Sequence, residues 1–257
     1  MTAQLRMAPE TGAGPGSSAA VSGAGLHVLL AWMSPSFPVG AYTYSHGLEW
    51  AVEEGTVRDA ATLQAWVTGV LRHGAGWSDT LLLAQGMRAA TLGDEAAFRE
   101  LLDLSLALQP SSERRLEATA QGDAFIAAIV GAWPPPSDTA ATRLFARLTQ
   151  GEAALARGSW TYALALAASA AAWGLPAGPT ATAFLHAFAA NLVSAAVRAV
   201  PLGQTDGQRV VNGLGEEITA LAAAALEAPL DEIGGCAFAA DIASMKHETQ
   251  YTRLFRS

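Results

Sequence analysis

The sequence predicts an all-α protein that folds as a single compact bundle of about ten helices behind a disordered N-terminal arm. Hydrophobic residues make up 51% of the chain and aromatic residues only 7%, so the apolar content is mostly alanine and leucine, which favour helices. Glycine and proline interrupt the apolar segments at short intervals, and runs of alternating β-branched residues are missing. These observations favour helices with short connections over a sheet.

Glycine and proline divide the first half of the chain into the arm and six helices. Residues 1–24 are rich in Gly, Ala, Ser and Pro without an apolar segment of signal-peptide type, so they are expected to form the arm, and residues 25–257 the helical domain. Asp94 is a typical N-cap, and the prolines after Trp133 end the sixth helix. The predicted helices are 26–33, 42–54, 62–72, 78–90, 95–108 and 110–133.

Prolines also separate the helices of the second half. The predicted helices are 138–149, 152–173, 180–199, 207–227 and 236–248. Two segments, 160–173 and 183–200, are apolar, but the first is short and the second carries His186, Asn191 and Arg198. Neither supplies the roughly 20 strongly apolar residues that a membrane span needs. Both are therefore expected to be buried core helices.

Charge and composition exclude several function classes. A net charge of −8 argues against nucleic acid or an anionic membrane as the main partner. The single cysteine, Cys236, allows neither an intramolecular disulfide nor a thiolate metal cluster within the chain, and it fits a reducing compartment. Lys246 is the only lysine, so the chain lacks a Gly-x-x-x-x-Gly-Lys-Ser/Thr loop for binding nucleotide phosphates.

The last twelve residues, 246–257, are basic and apolar, whereas the rest of the chain is acidic. Glu248 is their only acid against three cationic side chains, and they end Tyr-Thr-Arg-Leu-Phe-Arg-Ser. Ordering a free end costs roughly 1–2 kcal/mol per residue, which burial of aromatic and aliphatic side chains can offset. Either this tail folds back onto the acidic surface of its own chain, or it is presented to another protein.

A second informative segment, residues 34–50, combines residues that fix the backbone with several aromatic side chains. Pro38 fixes φ and Gly40 allows a positive φ, which predicts a rigid loop before the helix at 42–54. The pattern predicts a buried stripe of Tyr44, Leu48, Ala51 and Val52, and a cluster of Tyr42, Ser45, His46 and Glu49 around the helix start. The segment is either a structural turn or a preorganised docking surface.

Taken together, these two segments resemble the urease accessory protein F family (UreF). In that family a Ser-x-x-x-Pro-Val/Gly-Gly-x-Tyr/Phe-x-x-Ser-x-Gly-Leu-Glu segment lies near the amino end, and a His-Glu-x-x-x-x-Arg-Leu-Phe tail closes the chain. Further matches are Glu113, Arg115 and Gly122 in the central helix and Val-Pro-Leu-Gly-Gln at 200–204. The resemblance covers nearly all of the chain after the arm, and the arm itself departs from the family pattern.

The resemblance implies an all-α, dimeric, cytoplasmic protein that is not itself an enzyme. Such proteins bind the accessory protein UreD (also called UreH) and the GTPase UreG, and the complex inserts nickel into apo-urease as GTP is hydrolysed. No cofactor is expected to be bound stably, because nickel is handled by the complex. The resemblance assigns the contact with UreD to His247, Glu248, Tyr251, Arg253, Leu254, Phe255 and Arg256. It assigns the UreG side, or the shape that supports it, to Pro38, Gly40, Tyr42, Tyr44, Ser45, Gly47 and Glu49.

Two questions stay open at the level of sequence. The chain either regulates the UreG GTPase or lines a passage for nickel. A different class of function, an all-α ligand-binding or enzymatic domain, would use residues 42–53. Glu49 and Glu53 share one helix face there, which suits a cation or paired-acid chemistry but more often marks a solvated or partner-facing edge.

Overall fold

The structure is a computed structural model that describes residues 20–257. Within that range it contains twelve α-helices and no strand, so the all-α prediction is confirmed. The helices are α1 (Gly23–Trp32), α2 (Leu48–Glu53), α3 (Ala60–His73), α4 (Ala75–Leu92), α5 (Glu95–Ala107), α6 (Ser112–Ala132), α7 (Ala140–Thr149), α8 (Tyr162–Ala172), α9 (Ala177–Ala199), α10 (Gln204–Gly213), α11 (Gly215–Glu227) and α12 (Phe238–His247). Short 3₁₀ turns occupy Ala41–Thr43 and Leu230–Glu232.

Helix α8 lies at the centre of the bundle. Its sequence is nearly all alanine and leucine, and every residue after Tyr162 is buried. Small side chains let neighbouring helices come close, and α8 packs against α4, α6 and α7. The closest approach is at Gly122 of α6, where a Cβ would lie 2.3 Å from the Trp160 carbonyl oxygen, so only glycine fits there.

Helix α9 is the second organising element. It contacts α1, α2, α3, α4, α10 and α11. Among the described residues it is the one helix long and apolar enough to cross a membrane by length and composition, but half of its most apolar window is buried inside the protein. It therefore packs as a core helix, as predicted for 183–200.

Local capping chemistry explains several helix boundaries that the sequence predicts. Asp94 accepts from the Ala97 amide at the start of α5, and Ser111 accepts from the Arg114 amide at the start of α6. Ser22 caps α1, which begins at Gly23 and not at Leu26, so the predicted arm at 1–24 is too long at its end. The rest of that arm, residues 1–19, lies outside the described residues.

Three predicted helices differ from the structure. The helix predicted at 42–54 forms only from Leu48, because His46 and Gly47 both have positive φ angles. The helix predicted at 152–173 begins at Tyr162, after a loop with left-handed glycines at 151 and 158. The helix predicted at 207–227 is two helices, α10 and α11, which meet at Leu214 between two glycines. In each case glycine geometry ends or delays a helix that apolar spacing alone predicts as continuous.

Candidate functional site

The tail, residues 246–257, begins in the last turn of α12 and lies against α2, α6 and the loop at 43–47. Backbone hydrogen bonds join the tail to that loop: the Arg256 amide donates to the Thr43 carbonyl at 2.8 Å, and the Ser45 amide donates to the Ser257 backbone oxygen at 2.7 Å. Phe255 and Ser257 are buried. The tail therefore folds back onto its own chain, which is one of the two interpretations that the sequence leaves open.

Glu49 of α2 holds the middle of the tail. Its carboxylate accepts from the Leu254 amide at 2.7 Å and from the Phe255 amide at 3.0 Å, and it lies 3.2 Å from Nε2 of His247. Glu49 is buried, with its side chain only 9% exposed. The expectation of a solvated or partner-facing edge is therefore wrong for Glu49, which is enclosed by the tail, whereas Glu53 is exposed as expected.

Glu113 of α6 holds the same segment from the opposite side. One carboxylate oxygen accepts from Nη1 of Arg253 at 2.6 Å, and the other lies 2.6 Å from Nδ1 of His247. Glu248 adds a third contact to α6 by accepting from the Ser112 amide at 2.8 Å, at the positive end of the helix. The hydrogen bond from the Ser112 hydroxyl, with those from the Ser112 and Glu113 amides, holds the pKa of Glu248 below its usual range.

A second buried polar group lies beneath the end of the tail. The Ser257 hydroxyl donates to Glu117 at 2.6 Å, and Glu117 pairs with the buried Arg114. Burial alone would raise the pKa of Glu117, but the Arg114 charge, the nearby His46 ring and the hydrogen bond from Ser257 hold it below its usual range. Burial, with the charge of Arg114, lowers the pKa of His46 to about 4, so this histidine is neutral at pH 7.

Gly47 and Arg198 complete the attachment. Gly47 has a φ of 75°, and a Cβ there would lie 2.7 Å from the Ser244 amide nitrogen of α12. The guanidinium of Arg198 lies 4.0 Å from the Tyr42 ring centroid and 4.5 Å from that of Phe255, so it links the loop to the tail through cation–π contacts. The tail and the loop at 34–50 are therefore parts of one structural unit.

The outward face of this unit is apolar. Tyr251 is fully exposed and Leu254 is 69% exposed, although the Leu254 amide is bound to Glu49. On α12 three exposed apolar side chains, Phe238, Ile242 and Met245, recur at helical spacing on one face. Isolated apolar side chains on a surface are ordinary, but a row of them marks an interaction site.

The comparisons with known proteins agree with the motifs. The UreF family model matches residues 57–215. The urease accessory protein UreF of Rhodopseudomonas palustris strain HaA2 is 49% identical over 249 residues, 97% of this chain and 100% of that protein. The chain belongs to the UreF family. UreF proteins of Bradyrhizobium diazoefficiens and of Methylobacterium sp. strain 4-46 are 45% and 46% identical over 94% and 90% of this chain, and over 96% and 88% of their own length.

The family model begins after the loop and ends before the tail, so it does not by itself include the segments that carry the sequence resemblance. The match with the R. palustris protein covers 249 residues, so it extends over nearly the whole chain. Membership of the UreF family, which the two segments suggest, is therefore confirmed by the family model and by the near full-length relatives.

The structure divides the sequence-predicted loop residues into two groups. Pro38, Gly40 and Tyr42 are exposed, and Gly40 has the positive φ that the sequence predicts. Tyr44, Ser45, Gly47 and Glu49 are buried and hold the tail or the loop in place. Only the first group offers surface to a partner.

Sequence reasoning missed two parts of the site. The first part is Glu113, which the sequence identifies only as a family match. No local sequence pattern shows that it contacts a segment 140 residues away. The second part is the row of exposed side chains Phe238, Ile242 and Met245. Their spacing within the predicted helix 236–248 is the signal that places them on one face of that helix.

A small cavity lies beside the loop. Its volume is about 220 Å³, and its polar lining includes His46, Glu117 and Gln121 with Asn191 of α9. Nδ1 of His46 is buried without a hydrogen-bond partner. This is the pocket with converging polar groups that a ligand-binding alternative requires.

Proposed function

We propose that this chain is a non-enzymatic accessory protein that acts with UreD and UreG in the cytoplasm to insert nickel into apo-urease while UreG hydrolyses GTP. Membership of the UreF family supports the role in urease maturation, since the relatives bear the name urease accessory protein UreF. Nickel is the cargo of the complex in this proposal. Residues 20–257 hold no cluster of three or more His, Cys, Asp or Glu side chains arranged to bind a metal, and the proposal requires no resident cofactor.

The observation that carries the proposal is the exposed apolar face of the docked tail. The Leu254 and Phe255 amides and the Phe255 ring face inward, while the side chains of Tyr251 and Leu254 are exposed, as are Arg253 and Arg256. Aromatic and arginine side chains are the residues that most often dominate binding energy at interfaces. We assign this face, with the exposed row on α12, to UreD.

Capture of UreD tests this assignment. The double variant Tyr251→Ala/Leu254→Ala removes two exposed side chains and leaves the amide of Leu254 free to bind Glu49, so the fold should be unaffected. Leu92→Ala is the matched control, because Leu92 is 74% exposed but lies at the end of α4. We expect the double variant to lose UreD capture at least tenfold and the control to behave as the wild type. Wild-type capture by the double variant would refute the assignment.

The UreG contact is assigned to the exposed part of the loop, Pro38, Gly40 and Tyr42. Pro38 and Gly40 fix the backbone there, and Tyr42 is 65% exposed with Arg198 beneath its ring.

Measuring GTP hydrolysis by UreG with and without this chain separates regulation of the GTPase from a passage for nickel. A changed rate supports regulation, and an unchanged rate supports a passage for nickel. Tyr42→Ala tests the surface in the same assay.

We also propose that the chain forms a homodimer through α1. Leu26 and Leu30 are 46% and 66% exposed on one face of that helix. They border an apolar groove of about 950 Å³ between α1, α9 and α11. A helix ridge next to a groove can meet a second copy of itself across a two-fold axis, each ridge filling the other groove.

A ligand-binding role is the alternative that a specific observation favours. The cavity beside the loop has an unpartnered imidazole nitrogen, the Glu117 carboxylate and amide groups at its wall. A ligand-dependent rise in melting temperature with small polar metabolites, lost in His46→Asn, would support it. If no metabolite raises the melting temperature, the residues around the cavity serve only to support the tail.

A further inference from the structure

The cavity beside the loop has the form of a site for a small molecule. Residues of the loop at 34–50, of α6 and of α9 form its wall, with Tyr162 at the start of α8. The apolar part of the wall includes Met33, Val39, Phe188 and Leu192. Three polar side chains that also line it, His46, Glu117 and Gln121, are each at most 6% exposed. A cavity of about 150 Å³ can hold a benzene ring, so one of about 220 Å³ has room for a ring with a polar substituent.

The polar groups of the cavity determine which ligand they can bind. Nε2 of Gln121 donates to Glu117 at 3.3 Å, and Nδ2 of Asn191 donates to the Tyr44 carbonyl at 3.4 Å. Within residues 20–257 the oxygens of these two amides accept no hydrogen bond. Burial raises the pKa of Tyr162 above its usual range, so its hydroxyl stays protonated and can donate. A matching ligand supplies N–H donors for the amide oxygens and an acceptor for the hydroxyl.

The charges around the cavity favour a neutral ligand. Burial and the charge of Arg114 keep the His46 ring neutral by lowering its pKa to about 4, so the same environment disfavours a cation. The Glu117 carboxylate keeps its negative charge beside Arg114, so it repels an anion. A neutral group with both N–H donors and a carbonyl acceptor avoids both costs, and the primary amide is the simplest such group.

We propose that this cavity binds a small neutral carboxamide with an apolar substituent. The amide N–H₂ group donates to Oε1 of Gln121 and Oδ1 of Asn191, and its carbonyl accepts from the Tyr162 hydroxyl. The substituent packs against Phe188 and Leu192. This inference rests on the ligand-binding alternative, for which it names the ligand class, and it does not depend on UreD or UreG.

Four probes of nearly the same shape test the ligand class on the full-length chain. Benzamide is the neutral carboxamide, benzoate is its anionic counterpart, benzamidinium its cationic one, and acetophenone lacks the N–H donors. Isothermal titration calorimetry should show saturable binding of benzamide, and the other three probes should bind at least about tenfold more weakly. No saturable binding of benzamide at up to about 10 mM would refute the site, since even weak fragments bind in that range. Equal binding of acetophenone, benzoate or benzamidinium would refute the carboxamide class.

Variants of the wall test the location. Gln121→Met removes the amide with little change of volume, and Ala190→Leu fills the cavity from α9. Gln85→Met is the matched control, because Gln85 of α4 donates to the Ala228 carbonyl and does not line the cavity. We expect Gln121→Met to weaken benzamide binding at least about tenfold, Ala190→Leu to abolish it, and the control to bind as the wild type. Unchanged binding in Gln121→Met and Ala190→Leu would place benzamide elsewhere and refute the site.

The outcomes separate this inference from the functions proposed above. If a wall variant fails to fold, the four probes on the wild type still decide the ligand class. A melting-temperature rise with another polar metabolite, without benzamide binding, would retain the ligand-binding alternative and refute the carboxamide class. A chain that binds benzamide without capturing UreD would refute the assignment to UreD alone.

Discussion

Glu49 shows how one carboxylate can organise a segment 200 residues away in the chain. It accepts hydrogen bonds from two backbone N–H groups of the tail and faces His247. Its negative charge therefore makes these contacts in a place from which water is largely excluded. Hydrogen bonds to a charged group contribute more than those between neutral groups, and a donor left without its acceptor adds a desolvation cost. The residue is thus structural for the tail, and any effect it has on a partner passes through the tail.

Glu49→Gln should therefore weaken tail docking with little change of side-chain volume. The amide loses the charge and turns an N–H₂ group towards donors, so we expect a loss of about 1.5–3 kcal/mol in the free energy of tail opening. Hydrogen exchange of the Leu254 and Phe255 amides measures it. Glu53→Gln on the same helix is the control, with an expected change within about 0.5 kcal/mol. Equal protection in both variants would contradict the role of Glu49.

His46 makes the stability of the folded chain depend on pH. Its pKa falls from 6.5 in the unfolded chain to about 4 in the folded protein, because burial and the charge of Arg114 disfavour the charged ring. Between these values the unfolded state binds more protons, so stability rises with pH from about 4 to 6.5 and is complete above that. The contribution is on the order of 3 kcal/mol.

Urea unfolding at pH 4.5 and pH 7 should show this dependence as a difference between the wild type and His46→Asn. Asparagine tolerates the positive φ of 60° at this position, so the comparison does not add backbone strain. Asp79 has a raised pKa and acts in the opposite direction, but it is present in both proteins and cancels. The wild type should lose more stability on acidification than the variant, and equal losses would show that His46 is not buried as a neutral ring.

Among the elements, α2 and α12 pack closely against each other. Gly47 precedes α2, and its hydrogen atom meets the backbone of Ser244 where a methyl group would overlap it. The tail continues directly from α12, so the position of that helix determines where residues 248–257 can reach. A small displacement at Gly47 would move the whole tail relative to Glu49 and Glu113.

Gly47→Ala and Gly55→Ala form a matched pair that separates overlap from backbone strain. Both glycines have φ near 80°, but a Cβ at Gly55 meets no atom within 4 Å. Alanine at Gly55 should cost about 1–2 kcal/mol of stability through strain alone. Alanine at Gly47 should cost at least about 2 kcal/mol more, because the overlap is with backbone atoms. Thermal unfolding of the two variants measures the difference, and equal losses would contradict the close contact.

Sequence predicts most of these elements well where the signal is local. The predicted helix starts at Asp94 and Ser111 are of this kind. In each, the side chain of the N-cap residue binds an amide three residues later, so a short stretch of sequence determines where the helix begins. The segment at 42–47 could not be predicted as a loop, because its carbonyls and amides pair with the tail more than 200 residues later. The two halves of the site were recognised by composition and motif, but their contact through Glu113 is long-range and carries no local pattern.

At the scale of the whole molecule, the surfaces proposed for UreD and for the homodimer lie on different elements. The UreD face belongs to α12 and the tail, and the dimer face belongs to α1 with the groove between α9 and α11. Helix α9 contacts both α1 and α2, so it joins the two regions through the core. A variant that changes only exposed side chains on one surface should leave binding at the other surface intact.

Leu30→Glu tests that separation together with the homodimer. A carboxylate on the ridge of α1 would be buried against an apolar groove without a partner, which costs several kcal/mol in a symmetric interface because it occurs twice. We expect light scattering to show the mass of two chains for the wild type and of one chain, 26.5 kDa, for Leu30→Glu, with UreD capture retained. Leu92→Glu, an equally exposed leucine on α4, should remain dimeric. A wild type that is monomeric would refute the homodimer. A Leu30→Glu variant that remains dimeric would place the interface elsewhere. Loss of UreD capture with the dimer would show instead that the tail binds its partner only in the assembled pair.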